Sequence, residues 1–153
     1  MNPSEWNGGI LLVLRCKQHR RENSKSNSVA KSTDFPRHGN RCFKAFNGPK
    51  SWKDAEVRCL NSGGNLASVH SFKEQAFLKL LVSSSKAFWI GGYDAEGTWF
   101  WSDGSKMNFH AWNSGEPNNK YDEHCMETNY GAEGNWNDRK CTVELPFVCA
   151  VAI

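Results

Sequence analysis

Long apolar segments are missing from this chain of 153 residues. No stretch approaches the roughly 20 apolar residues that a membrane-spanning helix requires, so we expect no membrane span. No Gly-x-Ser-x-Gly turn and no phosphate-binding glycine loop is present, and the histidines lie in no recognisable motif. These absences argue against the common hydrolase and nucleotide-dependent classes, and we expect that the protein is not an enzyme.

Closely spaced cysteine pairs are also absent. The chain has six cysteines but no Cys-x-x-Cys pair, which favours disulfides over zinc binding or thioredoxin-type chemistry. Disulfides persist in oxidising compartments, so we expect a secreted, extracellular protein. A leader is not evident, because the apolar run over residues 10–14 is shorter than the ~7–15 residues of a signal-peptide core.

Charge is distributed unevenly along the chain. Residues 15–41 carry eight Lys or Arg against two acids, whereas residues 42–153 carry eleven against thirteen. Residues 15–40 contain almost no large apolar side chains, and a segment that buries so little surface is expected to be disordered. We therefore predict a disordered basic tail over residues 1–40 and one folded domain over residues 41–153. The tail lacks interleaved aromatic residues, so we expect no nucleic-acid partner.

From residue 41 onward, the pattern predicts an α+β domain. Ser51 and Asp54 favour the start of a helix that ends at Gly63, and Ser71 with Glu74 forms a capping box for a second helix. The apolar positions expected on the second helix are Phe72, Ala76, Phe77, Leu80 and Leu81. Short strands are predicted over residues 41–46, 65–69, 88–92, 98–101, 125–128 and 147–151. A long irregular loop spans residues 102–120, and such loops in compact domains are usually functional or disordered.

Two short clusters of acidic and amide residues stand close to cysteines near the C-terminus. Together they supply three carboxylates and two side-chain amides: Glu116, Asn118, Glu123, Asn137 and Asp138. A disulfide between Cys125 and Cys141 would bring the two clusters side by side. Calcium takes about 6–8 oxygen ligands from such a mixture. His124 is the only imidazole close by, which leaves too few nitrogen ligands for zinc. The residues therefore indicate Ca²⁺ as the cofactor.

The order of these features resembles the C-type lectin domain family. The resemblance rests on two helices followed by Trp89-Ile90-Gly91-Gly92, Glu116-Pro117-Asn118, Glu123-x-Cys125, Trp136-Asn137-Asp138, Cys141 and Cys149. It covers residues 41–153, and residues 64–71 and 101–104 look particularly similar to secreted single-domain lectins of fish, some of which resemble type II antifreeze proteins. It implies an α+β fold of the C-type lectin-like type, with two helices, two small antiparallel sheets and a long calcium-binding loop stapled by disulfides.

The same resemblance implies two disulfides, Cys59–Cys149 and Cys125–Cys141. Cys42 matches the second cysteine of an N-terminal hairpin bridge in longer family members, but the usual partner position holds no cysteine here. Cys16 is the remaining thiol. Cys16 and Cys42 therefore pair with each other, stay free or pair between chains.

The resemblance also assigns roles to the five clustered residues, which it implies are both the calcium ligands and the carbohydrate-binding residues. A sugar with adjacent hydroxyls would replace two waters on the ion, while amides donate hydrogen bonds and carboxylates accept them. In this family Glu-Pro-Asn, here with Pro117 implied to be cis, goes with mannose, fucose and N-acetylglucosamine. Glu116 and Asn118 therefore imply mannose-type glycans as partners, and Tyr121 and His124 either pack on the sugar or remain rim residues.

Several alternatives stay open. The clustered residues could be ordinary turn formers, or Glu116 and Glu123 could form a glycosidase pair. A second calcium site would need Asp94 and Glu96. The scaffold could also bind ice as an antifreeze-like protein, although ice binders favour Thr-rich surfaces and this chain has four threonines. We expect instead a calcium-dependent lectin that recognises glycans in innate immunity and gains avidity as a homo-oligomer.

Overall fold

The computed structural model describes residues 15–16, 35–82 and 86–153. These residues form two helices, α1 (Trp52–Asn61) and α2 (Phe72–Leu81). They also form nine strands: β1 (Arg15–Cys16), β2 (Phe35–His38), β3 (Arg41–Lys50), β4 (Asn65–Leu66), β5 (Phe88–Ala95), β6 (Thr98–Trp101), β7 (Cys125–Tyr130), β8 (Asn135–Arg139) and β9 (Leu145–Ala152). Neither helix is long and apolar enough to cross a membrane, a finding that concerns the described residues.

Both helices begin at the serines that the sequence predicts. The Ser51 hydroxyl accepts the backbone N–H of Asp54 at 3.3 Å, and the Ser71 hydroxyl accepts that of Glu74 at 3.1 Å. The second capping box is displaced by one residue, because the Glu74 carboxylate accepts the backbone N–H of His70 at 2.8 Å instead of that of Ser71. These contacts satisfy N–H groups that lack partners at a helix start.

The apolar face predicted for α2 is partly wrong. Phe72 and Leu80 are 70% and 72% exposed, whereas Phe77 and Leu78 are buried together with the polar Gln75. Gln75 is buried because its amide nitrogen donates to the Thr128 hydroxyl and its amide oxygen accepts the indole N–H of Trp136. Hydrophobic spacing predicted apolar residues on the buried face of α2. Gln75 lies on that face instead because its amide has two buried hydrogen-bond partners.

The strands form two antiparallel groups. In the first, β1, β2, β3 and β9 follow one another, and β4 also pairs with β9. In the second, β5 pairs with both β6 and β7, and β7 pairs with β8. A short parallel contact between β5 and β9, at Trp89 and Phe147, joins the groups into one connected sheet. The two helices and two antiparallel strand groups match the fold that the resemblance implied.

Three disulfides connect these elements. Cys59–Cys149 joins α1 to β9, and Cys125–Cys141 joins the start of β7 to the residues that follow β8. Cys16–Cys42 joins β1 to β3, which selects the intramolecular pairing among the alternatives that the sequence left open. In the chain-entropy model, such bridges each contribute about 3–5 kcal/mol by restricting the unfolded chain.

Part of the predicted basic tail is structured. Residues 15–16 and 35–38 lie within the tail predicted over residues 1–40, yet both segments form strands. The Cys16–Cys42 bond and the pairing of β2 with β3 attach them to the domain, which compensates for their low apolar content. Residues 1–14 and 17–34 lie outside the described residues, so a disordered tail there stays a prediction.

Aromatic side chains pack beneath the end of the second strand group. Trp136 is fully buried, and its ring contacts those of Trp101, Phe109 and Trp112 edge-on, with centroids 5.4–5.7 Å apart. Edge-to-face packing of this kind is favourable beyond the area that it buries. Because Trp136 is anchored in the core, the residues that follow it in β8 are held in place.

A glycine next to β4 provides a test of this packing. An added Cβ on Gly64 would lie 2.1 Å from the Ala150 carbonyl oxygen, whereas one on Gly48 would meet no atom within 4 Å. We expect Gly64→Ala to lower the free energy of unfolding by about 2 kcal/mol or more, because a backbone atom must move. Gly48→Ala should change it by less than about 0.5 kcal/mol. Urea unfolding measures both, and equal midpoints would contradict the close approach of β4 and β9.

Candidate metal centre

The second cluster, Asn137 and Asp138, lies on the hairpin formed by β7 and β8. The sequence predicted a strand at β7 but not at β8. In the β7–β8 register, Cys125 faces Arg139, Met126 faces Asp138 and Glu127 faces Asn137. Asn137 and Asp138 are 4% and 0% exposed, because Trp136 draws β8 into the core. The Cys125–Cys141 bond closes the open end of the hairpin. Strand pairing and a disulfide together hold the two ligand-type side chains in place.

The long loop that carries the first cluster is fastened to this hairpin at two points. Asp138 accepts the backbone N–H groups of Asn118 and Asn119, at 3.1 and 2.6 Å. Farther back, the Asn113 amide donates to the Tyr130 carbonyl at 2.9 Å and accepts the Asn135 N–H at 3.0 Å. These hydrogen bonds bring the two clusters together across a separation of about twenty residues in the chain.

Glu116 and Asn118 lie side by side across a cis peptide bond. The Glu116–Pro117 bond is cis, as predicted, and the Asn118 amide nitrogen donates to Glu116 Oε1 at 2.9 Å. The other carboxylate oxygen of Glu116, Oε2, is screened from solvent and accepts no hydrogen bond. The Asp138 carboxyl beside Glu116 can share a hydrogen bond with it only when Glu116 is protonated. An unsatisfied carboxylate oxygen is costly, and a bound cation is one way to satisfy it.

Crowding of carboxylates perturbs the titration of this region. Burial and the adjacent Asp138 carboxyl raise the pKa of Glu116 to about 6. Burial and repulsion by Asp138 also raise the pKa of Glu123, although Arg139 and Lys120 oppose the shift. The shifts mean that an additional negative charge is disfavoured here until a positive charge arrives. A divalent cation would supply that charge.

One acidic residue near the site was missed by the sequence analysis. Glu127 is buried, and its Oε1 accepts the amide nitrogen of Asn137 at 2.8 Å. Burial is the main cause that raises the pKa of its carboxyl above the ordinary range. The signal that could have revealed it is its position opposite Asn137 in the hairpin, which required β8 to be recognised first.

Four of the five predicted ligands are linked to one another, whereas the Asn137 side chain contacts Glu127 and adjoins the others through the backbone of β8. The acids alone do not form a metal cluster. Asn118 links Glu116 and Asp138 by hydrogen bonds, Asn137 adjoins Asp138, and Glu123 interacts with Glu116 and Asp138 through charge. Among residues 15–16, 35–82 and 86–153, no three His, Cys, Asp or Glu side chains converge tightly enough to hold an ion. Amide oxygens and water would have to complete the coordination, and calcium accepts such ligands readily.

The other residues considered from the sequence have different surroundings. His124 Nδ1 lies 2.9 Å from Asp94 Oδ2, so both side chains are engaged with each other. Glu96 lies in the turn between β5 and β6 with φ of 54°. The described residues do not place Asp94 and Glu96 in a metal cluster. Tyr121 is 85% exposed beside the loop of the first cluster.

Comparison with known proteins identifies the fold. The model of the Lectin C-type domain family matches residues 48–151. The chain is 45% identical over 120 residues to the galactose-specific lectin nattectin of Thalassophryne nattereri, covering 74% of this chain and 75% of that protein. It is 45% identical over 122 residues to the lactose-binding lectin l-2 of Anguilla japonica, covering 74% of each. The structure of herring type II antifreeze protein matches with a TM-score of 0.75 at 35% identity, covering 79% of this chain and 98% of that one. The chain therefore belongs to the C-type lectin domain family.

Proposed function

We propose that this protein is a secreted, calcium-dependent lectin whose sugar site is formed by Glu116, Asn118, Glu123, Asn137 and Asp138. The observation that supports this proposal most strongly is the environment of the Glu116 carboxylate. One of its carboxylate oxygens is screened from water without a partner, and its pKa is raised to about 6 by burial and by Asp138. The protein alone does not stabilise the ionised form of this carboxylate, and a calcium ion would do so.

The donor set suits calcium in kind and in number. Three carboxylates and two amide oxygens are hard ligands, and water can supply the remaining positions of a shell of about 6–8 oxygens. Positive charge from Arg139 and Lys120 acts on Glu123 but does not cancel the raised pKa of its carboxyl. Calcium binding would therefore stabilise the folded protein by relieving repulsion among the acids.

A bound calcium would also offer two coordination positions to adjacent hydroxyls of a sugar. Beside that position, Asn118 Nδ2 is a donor and Glu116 Oε1 is an acceptor, and they now bond to each other at 2.9 Å. A sugar hydroxyl that accepts from Asn118 and donates to Glu116 would replace this contact with two hydrogen bonds, of which the one to the Glu116 carboxylate is charge-assisted. Both side chains lie at the surface loop, where a glycan has access.

Mannose-type specificity is the finer part of the proposal. The order of carboxylate, proline and amide at residues 116–118 is the arrangement that goes with mannose, fucose and N-acetylglucosamine in the resembling proteins. The names of nattectin and lectin l-2 refer to galactose and lactose, so galactose-type binding is the competing specificity. Specificity is a difference between affinities, and it depends on the loop around the ion as well as on the ligands.

Ice binding is a second candidate function, favoured by the similarity to herring type II antifreeze protein. The distribution of threonines gives it less support. Thr128 is buried, so Thr98 and Thr142 are the exposed threonines among the described residues. A flat threonine-rich face is thus not apparent in this part of the chain. We rank sugar binding first because the acidic and amide residues converge, whereas the exposed threonines are isolated in sequence.

The cellular setting is inferred from the covalent structure. Six cysteines form three intramolecular disulfides, which favours an oxidising, extracellular location. No described cysteine is left free to bond to a second chain, so a homo-oligomer would have to associate without disulfides. Association would raise avidity for glycan-bearing surfaces such as those met in innate immunity. Binding, not catalysis, is the activity that we propose, and we assign no catalytic residue.

Calcium should stabilise the wild-type protein, by an amount that rises with the logarithm of the calcium concentration once this exceeds Kd. At a concentration 100 times its Kd, a ligand specific to the folded state adds about 2.7 kcal/mol to the free energy of unfolding. We expect Glu116→Ala and Asn137→Ala to lose most of this gain, whereas Glu144→Ala, an exposed acid elsewhere, should retain it. Thermal unfolding with calcium and with a chelator measures the difference. If calcium stabilised both site variants as much as the wild type, the assignment of Glu116 and Asn137 as calcium ligands would be wrong.

Exchanging the carboxylate and the amide should change the sugar preference. The double variant Glu116→Gln with Asn118→Asp keeps the total ligand charge, so calcium should still raise its melting temperature. The positions of hydrogen-bond donor and acceptor are reversed, so retention on mannose-agarose should fall and retention on galactose-agarose should rise. Elution by a chelator is the control for calcium dependence.

Two results would redirect the proposal. Calcium-dependent retention of the wild type on galactose but not on mannose would overturn the specificity while keeping the lectin function. Thermal hysteresis together with no retention on mannose, fucose or galactose resins would favour the ice-binding function.

A further inference from the structure

Glu127 is a buried carboxylate outside the five proposed ligands. Its side chain is 2% exposed and lies in β7, between Trp89 of β5 and Asn137 of β8 in the strand register. Trp89 is fully buried and offers no charge to balance the acid. Burying a carboxylate destabilises the folded protein unless hydrogen bonds or opposite charges compensate for the lost hydration. The groups that contact Glu127 therefore indicate its role.

The principal partner is the amide of Asn137. Asn137 Nδ2 donates to Glu127 Oε1 at 2.8 Å, while the Arg139 guanidinium is 4.0 Å from the same oxygen. In this hydrogen bond the amide turns its nitrogen, not its oxygen, toward Glu127, which is the arrangement that an ionised carboxylate requires because it can only accept. The Asn137 oxygen is thereby turned away from Glu127.

We propose that Glu127 is a positioning residue for calcium, which holds the Asn137 amide so that its oxygen is presented to the ion. This inference rests on the proposed calcium site and deepens it. Without Glu127, the amide could rotate about its terminal bond and present its nitrogen, which does not bind calcium. Partners of metal ligands that fix their orientation commonly matter nearly as much as the ligands.

The strand pairing makes this arrangement rigid. Directly opposite residues in an antiparallel pair have side chains on the same face of the sheet, and Glu127 and Asn137 are such a pair. The Cys125–Cys141 bond closes the same hairpin two residues from Glu127. Glu123 and Asp138 lie close enough to repel the Glu127 carboxylate, so the charge of Glu127 would add negative potential beside the proposed ion. Orientation and potential both favour calcium binding.

Two variants separate orientation from charge. Glu127→Met removes the acceptor and the charge, and we expect calcium affinity measured by titration calorimetry to fall about 10–100-fold. Glu127→Gln keeps an acceptor oxygen in the same place, so its affinity should fall less. In the metal-free wild type, NMR should show one Asn137 side-chain N–H shifted downfield and protected from exchange. Glu127→Met should lose this signature and Glu127→Gln should keep it.

Thr128→Val is the matched control. Thr128 lies next to Glu127 in β7, and the substitution removes the hydrogen bond that its hydroxyl accepts from Gln75. The hydrogen bond between Asn137 and Glu127 does not involve the Thr128 side chain. The substitution should lower the stability of the fold while calcium affinity stays at the wild-type value. Wild-type affinity in Glu127→Met, or an equal loss of affinity in Thr128→Val, would overturn the positioning role.

The spectrum of the metal-free protein keeps the two proposals distinguishable. A freely exchanging Asn137 amide in the wild type would overturn the inference even if Glu127→Met failed to fold. Failure of the wild type to bind calcium would contradict the proposed function instead. The amide signature would then still show whether Glu127 fixes Asn137.

Discussion

Repulsion among carboxylates is the constraint around which this region of the protein is organised. Glu116, Glu123 and Asp138 are held close enough that burial and mutual charge raise the pKa values of the first two. The fold opposes their separation with the Cys125–Cys141 bond and with backbone N–H groups donated to Asp138. The crowding therefore costs free energy, and on the proposed function a bound cation would offset that cost.

The site has a buried half and an exposed half. Asn137, Asp138 and Glu127 lie in the β7–β8 hairpin and are almost inaccessible to solvent, whereas Asn118 stands on an exposed loop. On the proposed function, the buried half would fix the position of the ion and the exposed half would face the sugar. Changes to exposed side chains of the loop could alter the sugar that is bound while the hairpin keeps its backbone hydrogen bonds to the loop. This division is consistent with relatives on one fold whose names refer to galactose, lactose or antifreeze activity.

Local signals in the sequence predicted much of the fold. The helix starts at Ser51 and Ser71 were predictable because capping depends on neighbouring residues. Strand β8 was missed because Trp136-Asn137-Asp138 is polar around one tryptophan, and its strand state depends on pairing with β7. The exposure of Phe72 and Leu80 was missed because Gln75 finds buried partners in distant strands. The candidate ligands could be predicted from residue types and motif order, whereas Glu127 was found only from the pairing of β7 with β8.

The central claim is that one calcium ion lies between the loop of Glu116 and the hairpin of Asn137. Anomalous diffraction from crystals soaked with a lanthanide, which replaces calcium and scatters strongly, tests it most directly. We predict one dominant peak within about 2.3–2.6 Å of oxygens from Glu116, Asn118, Glu123, Asn137 and Asp138. A peak beside Asp94 and Glu96 with none between the loop and the hairpin would contradict the account.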